Sequence, residues 1–253
     1  MKMKTLLSLL FLLLLFPAQA LSQKYKLPSG ARIIETRAIP SKAHANRALV
    51  MWMVNPKRNP RDTPDEPYTC PEETRGHYYS GPLRVSLVDT RTRRVINTLQ
   101  IIPDYYDDED SFDIPYKIHN GYYTVTGLRP GQKEGVPVIM LLKDYNGDGR
   151  AQEFALFDAL ACMGLPTTLI GYSESKDRVI QYPVNVQISQ GESHWRNVLY
   201  WPDYLFGQKP AGQGYWKYEI DYRGRGGSLD KWEIRYNRRL EAFEGTITHV
   251  PGD

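Results

Sequence analysis

After residue 20 the chain consists of short runs in which apolar and polar residues alternate, broken by turn-forming residues about every 8–12 positions. The alternation is cleanest over residues 215–222. There Tyr215, Lys217, Glu219 and Asp221 interleave with Trp216, Tyr218, Ile220 and Tyr222. A two-residue period puts each set on its own face of a strand, so one face can meet a core and the other water. The same reading predicts strands over 31–39, 47–55, 84–90, 94–102, 112–118, 122–128, 136–144, 153–159 and 167–173. Further strands are expected over 179–188, 231–237 and 243–250.

No long stretch of helical period separates these runs, which points to an all-β, mainly antiparallel architecture. Polar segments at 89–94, 173–178 and 223–231 supply hairpin connections. A β-sandwich-like fold with long loops fits better than a propeller, because no repeat of fixed period is present. Residues 56–82, rich in Pro, Gly and charge, read as a long surface loop. Residues 189–214 read as irregular, with one short helix around 194–201. Residues 21–253 are therefore expected to form a single β-rich domain, and any subdivision would fall near 189–214.

Residues 1–20 follow a different pattern. Lys2 and Lys4 precede an apolar run over 6–16, and Pro17, Ala18 and Ala20 follow it. That is the order of a secretory signal peptide. No later run approaches the roughly 20 apolar residues a spanning helix needs. The mature chain is expected in the periplasm or the external medium, with no membrane span. The formal net charge is +3, and the leader carries two of the lysines. A nucleic-acid surface needs a strong positive excess and is not expected.

Export changes the reading of the two cysteines, Cys70 and Cys162. In an oxidising compartment one disulfide is the simplest outcome. It would stabilise the fold by about 4 kcal/mol in the chain-entropy account. Two buried free thiols are the alternative.

The densest candidate chemistry lies over residues 143–158. Asp144, Asn146 and Asp148 fall at alternate positions, Gly149 follows at the sixth, and Arg150, Gln152 and Glu153 come after. Calcium takes six to eight hard oxygens, and alternate side chains with a Gly at the bend can supply them. The segment resembles the Asp-x-Asp-x-Asp-Gly loops of EF-hands, dockerins and the FG-GAP repeats of integrin-α-type propellers. The resemblance covers residues 144–155 only. It implies side-chain oxygens from Asp144, Asn146 and Asp148, the carbonyl of Arg150, and closure by Gln152 or Glu153. Ala155 stands where an EF-hand has its bidentate Glu, and Gln152 where an FG-GAP loop usually has Asp. The apolar entry over 136–143 favours strand–loop–strand. The same residues also suit a plain turn, since Asn-Gly and Asp-Gly tolerate positive φ. A plain turn gives no reason for acids at both Asp144 and Asp148.

Other chemistry is sparse. The acidic run with Asp104, Asp107, Asp108, Glu109, Asp110 and Asp113 reads as a solvated loop, a second cation site or a source of paired catalytic carboxylates, though nothing in it selects a pair. His44, His77, His119, His194 and His249 have no zinc-ligand spacing, and no nucleophile elbow or phosphate loop occurs. Trp195, Trp201, Trp216 and Trp232 belong to an aromatic-rich C-terminal third. Such rings either fill a β core or stack on sugar rings. The function expected is binding or assembly outside the cell, with a structural calcium loop and an extracellular protein or carbohydrate as partner. The alternative is a carbohydrate-binding module or carbohydrate-active hydrolase using those aromatics. No catalytic motif supports an enzyme.

Overall fold

The computed structural model describes residues 25–59, 74–75, 78–101, 112–114, 117–118, 124–125, 137–157, 167–188, 193–196 and 209–251. Within them the chain is nearly all β, with mostly antiparallel sheets. Strands β1 (Ala31–Ala38), β2 (Arg47–Val54), β3 (Leu83–Asp89) and β4 (Arg94–Gln100) form an antiparallel sheet in chain order. β2 reads as a continuous apolar run because both of its faces are covered. Leu49, Met51 and Met53 join the main core. Ala48, Val50 and Trp52 pack in a second cluster with Tyr25 and Val88. The Trp52 indole N–H donates to Ser86 Oγ at 2.9 Å, so its one polar atom is satisfied under cover.

A second antiparallel sheet holds β5 (Glu153–Phe157), β6 (Thr167–Ser173) and β7 (Arg178–Gln181). Asn97 on β4 reaches across to it with its side-chain amide. Its Nδ2 donates to the Val179 carbonyl at 2.9 Å, and its Oδ1 accepts from the Val179 N–H at 3.0 Å. One side chain thus completes a strand-like pair between two sheets. Arg47 bridges the same region, with Asp89 at 2.8 Å and Asp177 at 2.7 Å.

The third sheet contains β8 (Val184–Ile188), β9 (Ser193–Arg196), β10 (Tyr215–Asp221), β11 (Ser228–Asn237) and β12 (Ala242–Pro251). Its spatial order is β9-β8-β12-β11-β10. β8 and β12 run parallel and the other pairs antiparallel. The register puts Val184, Phe243, Ile234 and Trp216 on one face and Asn185, Glu244, Arg235 and Tyr215 on the other. The apolar face joins a single cluster of buried side chains that also takes in Ile39, Leu87, Phe154 and Tyr172.

Several elements differ from the sequence expectation, each for a visible reason. The run over 136–144 keeps only Pro137–Val138 as strand. Beyond it the Glu35 carboxylate accepts the N–H groups of Ile139 at 2.8 Å and Met140 at 3.2 Å, taking the place of a strand partner. The run over 179–188 is two strands in two sheets, divided at Pro183, which has no N–H for a ladder. Residues 56–82 contain Lys57–Asn59, which pairs with Tyr78–Gly81, and the latter pairs in turn with Phe112–Ile114. Thr74–Arg75 pairs with Lys117–Ile118. The helix expected around 194–201 is replaced at its start by β9, because Ser193–Arg196 pairs with β8; residues 197–201 lie outside the described residues.

Residues 1–20, Cys70, Cys162, Trp201 and the acidic residues at 104, 107, 108, 109 and 110 also lie outside the described residues, while Asp113 falls in the short strand Phe112–Ile114. Among the described residues no helix is long and apolar enough to cross a membrane.

Candidate metal loop

Lys143 and Glu153 close the base of the loop by backbone pairing. The Lys143 N–H donates to the Glu153 carbonyl at 2.7 Å, and the Glu153 N–H donates back at 3.1 Å. Between them the chain turns tightly through Gly147 at φ +74° and Gly149 at φ +88°, a region where a side chain costs backbone strain. Asp144 organises the turn. Its Oδ1 accepts from the Asp148 N–H at 3.0 Å and its Oδ2 from the Gly149 N–H at 2.9 Å. Asn146 Oδ1 also accepts from the Asp148 N–H at 2.9 Å, and Asp148 Oδ1 accepts from the Arg150 N–H at 2.9 Å. Asp144, Asn146 and Asp148 therefore each turn a side-chain oxygen towards the loop backbone.

The charges of the loop are not balanced alike. The Arg150 guanidinium pairs with Asp148 Oδ2 at 2.7 Å and also with Glu174 in the β6–β7 turn. Those hydrogen bonds and charges raise the Arg150 pKa further above its ordinary value. Asp144 is exposed and has no cationic partner among the described residues.

Glu153 and Gln152 sit elsewhere than the loop resemblance implies. Glu153 is 0 % exposed and lies beneath the loop. Its carboxylate accepts from the Tyr145 N–H at 3.0 Å and from Asn146 Nδ2 at 3.0 Å, with the Tyr182 hydroxyl at 3.5 Å. Desolvation is the main force raising its pKa, opposed by the Tyr145 N–H, and the Asp148 and Asp144 charges add to the rise; the carboxyl is pushed up to about 8. Gln152 points away from the loop, its Nε2 donating to the Pro40 carbonyl at 2.9 Å. Both side chains are buried, Glu153 bracing the loop from below and Gln152 tying the chain to Pro40, and neither caps the loop.

What remains in the loop is two carboxylates, Asp144 and Asp148, the Asn146 amide oxygen and the Arg150 carbonyl. Among the described residues no group of three or more His, Cys, Asp or Glu side chains is placed to hold a metal. All four loop groups are hard oxygen donors, the kind calcium takes. With two carboxylates they suit a weak site, one of which Arg150 already occupies in part.

The loop is also wedged between sheets, which its sequence gives no sign of. A Cβ on Gly147 would meet Gly214 N at 2.2 Å and Gln213 C at 2.4 Å. Arg238 Nη2 donates to the Gly147 carbonyl at 3.3 Å, and the Tyr145 and Trp216 rings lie 5.9 Å apart. Beneath, Gly171 is directly paired with Glu153, and a Cβ there would meet Glu153 Cγ at 2.8 Å. Gly171, Gly214, Glu174 and Arg238 thus complete the loop's surroundings. All are remote in sequence, and only the Gly-Gln-Gly spacing at 212–214 marks one of them as a tight turn.

The structure separates the candidate sugar-contact aromatics. Trp216 is only 4 % exposed and belongs to the core, so its ring has no free face for a ligand. Trp232 is half-buried and packs against the same core. Trp195 lies on β9, opposite Asn185 in register.

In comparisons with known proteins, no family model, curated protein or solved structure matches the chain.

Proposed function

We propose that the chain is an exported binding or assembly protein whose 144–150 loop takes a structural calcium ion. Asp144 carries this reading. It is an exposed carboxylate with no cationic partner among the described residues, at the first position of a loop whose third and fifth side chains also present oxygens. Asp144, Asn146, Asp148 and the Arg150 carbonyl would hold the ion, with water completing the shell. Its chemistry would be structural, replacing the repulsion between Asp144 and Asp148 with shared coordination. Because the loop touches Gly214, Arg238 and Glu174, fixing its shape would stiffen the junction of the second and third sheets. Export rests on residues 1–20.

The site should bind in the weak extracellular range, on the order of 10⁻⁴–10⁻³ M. Calorimetric titration of residues 21–253 with calcium tests it. Asp144→Asn should abolish binding. Arg150→Gln should tighten it several-fold, since position seven contributes only its carbonyl and the side chain competes for Asp148. Equal heats from wild type and Asp144→Asn would refute the assignment. The aromatic-platform version of sugar binding is not favoured, given the burial of Trp216.

A further inference from the structure

The outer face of the third sheet carries a groove of about 380 Å³ lined by polar side chains: Asn185 and Gln187 on β8, Glu244 and Thr246 on β12, and Glu233 and Arg235 on β11. Its volume falls within the range of small-ligand sites. Unlike most such sites, it has no apolar side chain in its lining. The register shows why. In β8, β12 and β11 the apolar residues of each alternation are spent on the core, leaving amides, a hydroxyl and charges outside.

We propose that this groove binds a neutral oligosaccharide. Three observations narrow the ligand. Asn185 lines the groove, and its Oδ1 is buried with no hydrogen-bond partner among the described residues, which leaves the amide short of a donor. The Arg235 guanidinium carbon lies 3.7 Å from the centre of the Tyr215 ring, held in place while its N–H groups have no acceptor among the described residues. The charges are mixed. Glu233 is engaged by Lys217 at 2.7 Å and by the Tyr215 hydroxyl at 2.9 Å, while Glu244 accepts from Asn237 at 3.2 Å.

An anionic ligand would meet Glu233 and Glu244, a cation would meet Arg235, and an apolar ligand would leave the Asn185 amide and the Arg235 guanidinium without partners. Hydroxyl groups suit both ends, because one can hydrogen-bond the Asn185 amide and another can accept from Arg235. Asn185, Glu244 and Arg235 sit side by side on three neighbouring strands, a span of about 10 Å. That suits a ligand of two linked sugar rings. Trp195 pairs directly with Asn185 in the adjoining strand.

The inference deepens the binding role proposed above but does not depend on the ion. The test is calorimetric titration of residues 21–253 with neutral tetrasaccharides (cellotetraose, maltotetraose, xylotetraose and tetra-N-acetylchitotetraose) at millimolar concentrations, with trigalacturonate as the charged comparison. At least one neutral probe should bind. Asn185→Leu and Arg235→Gln should each weaken it about tenfold or more, while Lys231→Gln, on the same face beyond the groove, should leave it unchanged. Arg235 is exposed, so its variant keeps the test valid if Asn185→Leu fails to fold. Binding of no neutral probe, binding of trigalacturonate alone, or full binding by Arg235→Gln would overturn the proposal. Repeating the titration in chelator separates the two readings. Sugar binding without calcium binding would refute only the ion loop, and calcium binding without sugar binding only the groove.

Discussion

Replacing Gly147 by Ala should cost more than replacing Gly149 by Ala, though both glycines lie two residues apart in one loop at positive φ. The shared part is the left-handed backbone, about 1–2 kcal/mol for a residue with a Cβ. The entropic gain from removing a glycine from the unfolded chain is also common to both and cancels in the comparison. The difference is steric. At Gly149 an added Cβ meets nothing within 4 Å, whereas at Gly147 it meets Gly214 N at 2.2 Å. Those contacts are backbone and cannot swing aside. The turn they belong to is pinned by the Tyr215 N–H to the Gly212 carbonyl at 3.1 Å and the Tyr236 N–H to the Gly214 carbonyl at 2.8 Å. Forcing it open adds a penalty of the overpacking kind, about 1–3 kcal/mol. Gly147→Ala should therefore lose about 2–5 kcal/mol and Gly149→Ala about 1–2 kcal/mol. Urea titrations of residues 21–253 at neutral pH read both directly, provided the m-values agree. Equal losses in the two variants would mean that the loop does not dock on the 212–215 turn.

Two further outcomes follow from single side chains. Asn97→Ala leaves both backbone groups of Val179 unpaired, and urea titration should register a loss of about 1–3 kcal/mol. Glu153 holds its proton in the folded chain up to about 8 but releases it near its ordinary value when unfolded. The unfolded chain is thus the one ionised between roughly pH 4.5 and 8, so this carboxyl's contribution to stability is full below that window and is lost as pH rises through it. Glu153→Gln should flatten that fall in urea midpoints measured in chelator, and an unchanged slope would count against the buried protonated carboxyl.

How much of this was legible in advance depended on how local the determining contact is. Strand positions such as 215–222 could be read because a two-residue period is written in the residues themselves, and the antiparallel all-β class followed. The extended run over 136–144 is not one strand because its backbone partner is the side chain of Glu35, about a hundred residues earlier, which no local pattern announces. Pro183 divides one apparent strand into two because the flanking halves serve different sheets. In the loop, Asp144, Asn146 and Asp148 could be recognised from their spacing. That Glu153 would point inward needed Gly171 opposite it, and that Arg150 would be shared between Asp148 and Glu174 needed the β6–β7 turn. The aromatic cluster gave an ambiguous signal, since alternation alone does not say which side of β10 meets the core. The packing of Trp216 against Tyr145 decided it.

Thermal unfolding of residues 21–253 in calcium and in chelator, at fixed ionic strength, puts the ion loop to the plainest trial. At a calcium concentration about ten times the dissociation constant, preferential binding to the folded chain contributes about 1.4 kcal/mol. In a chain of this size that raises Tm by about 3–6 °C. Calcium bound by the loop should give that rise, sodium at matched ionic strength should not, and an Asp144→Ala/Asp148→Ala variant should lose it. A Tm indifferent to calcium, or a rise that survives in the double variant, would leave residues 144–150 as a turn closed by its own hydrogen bonds.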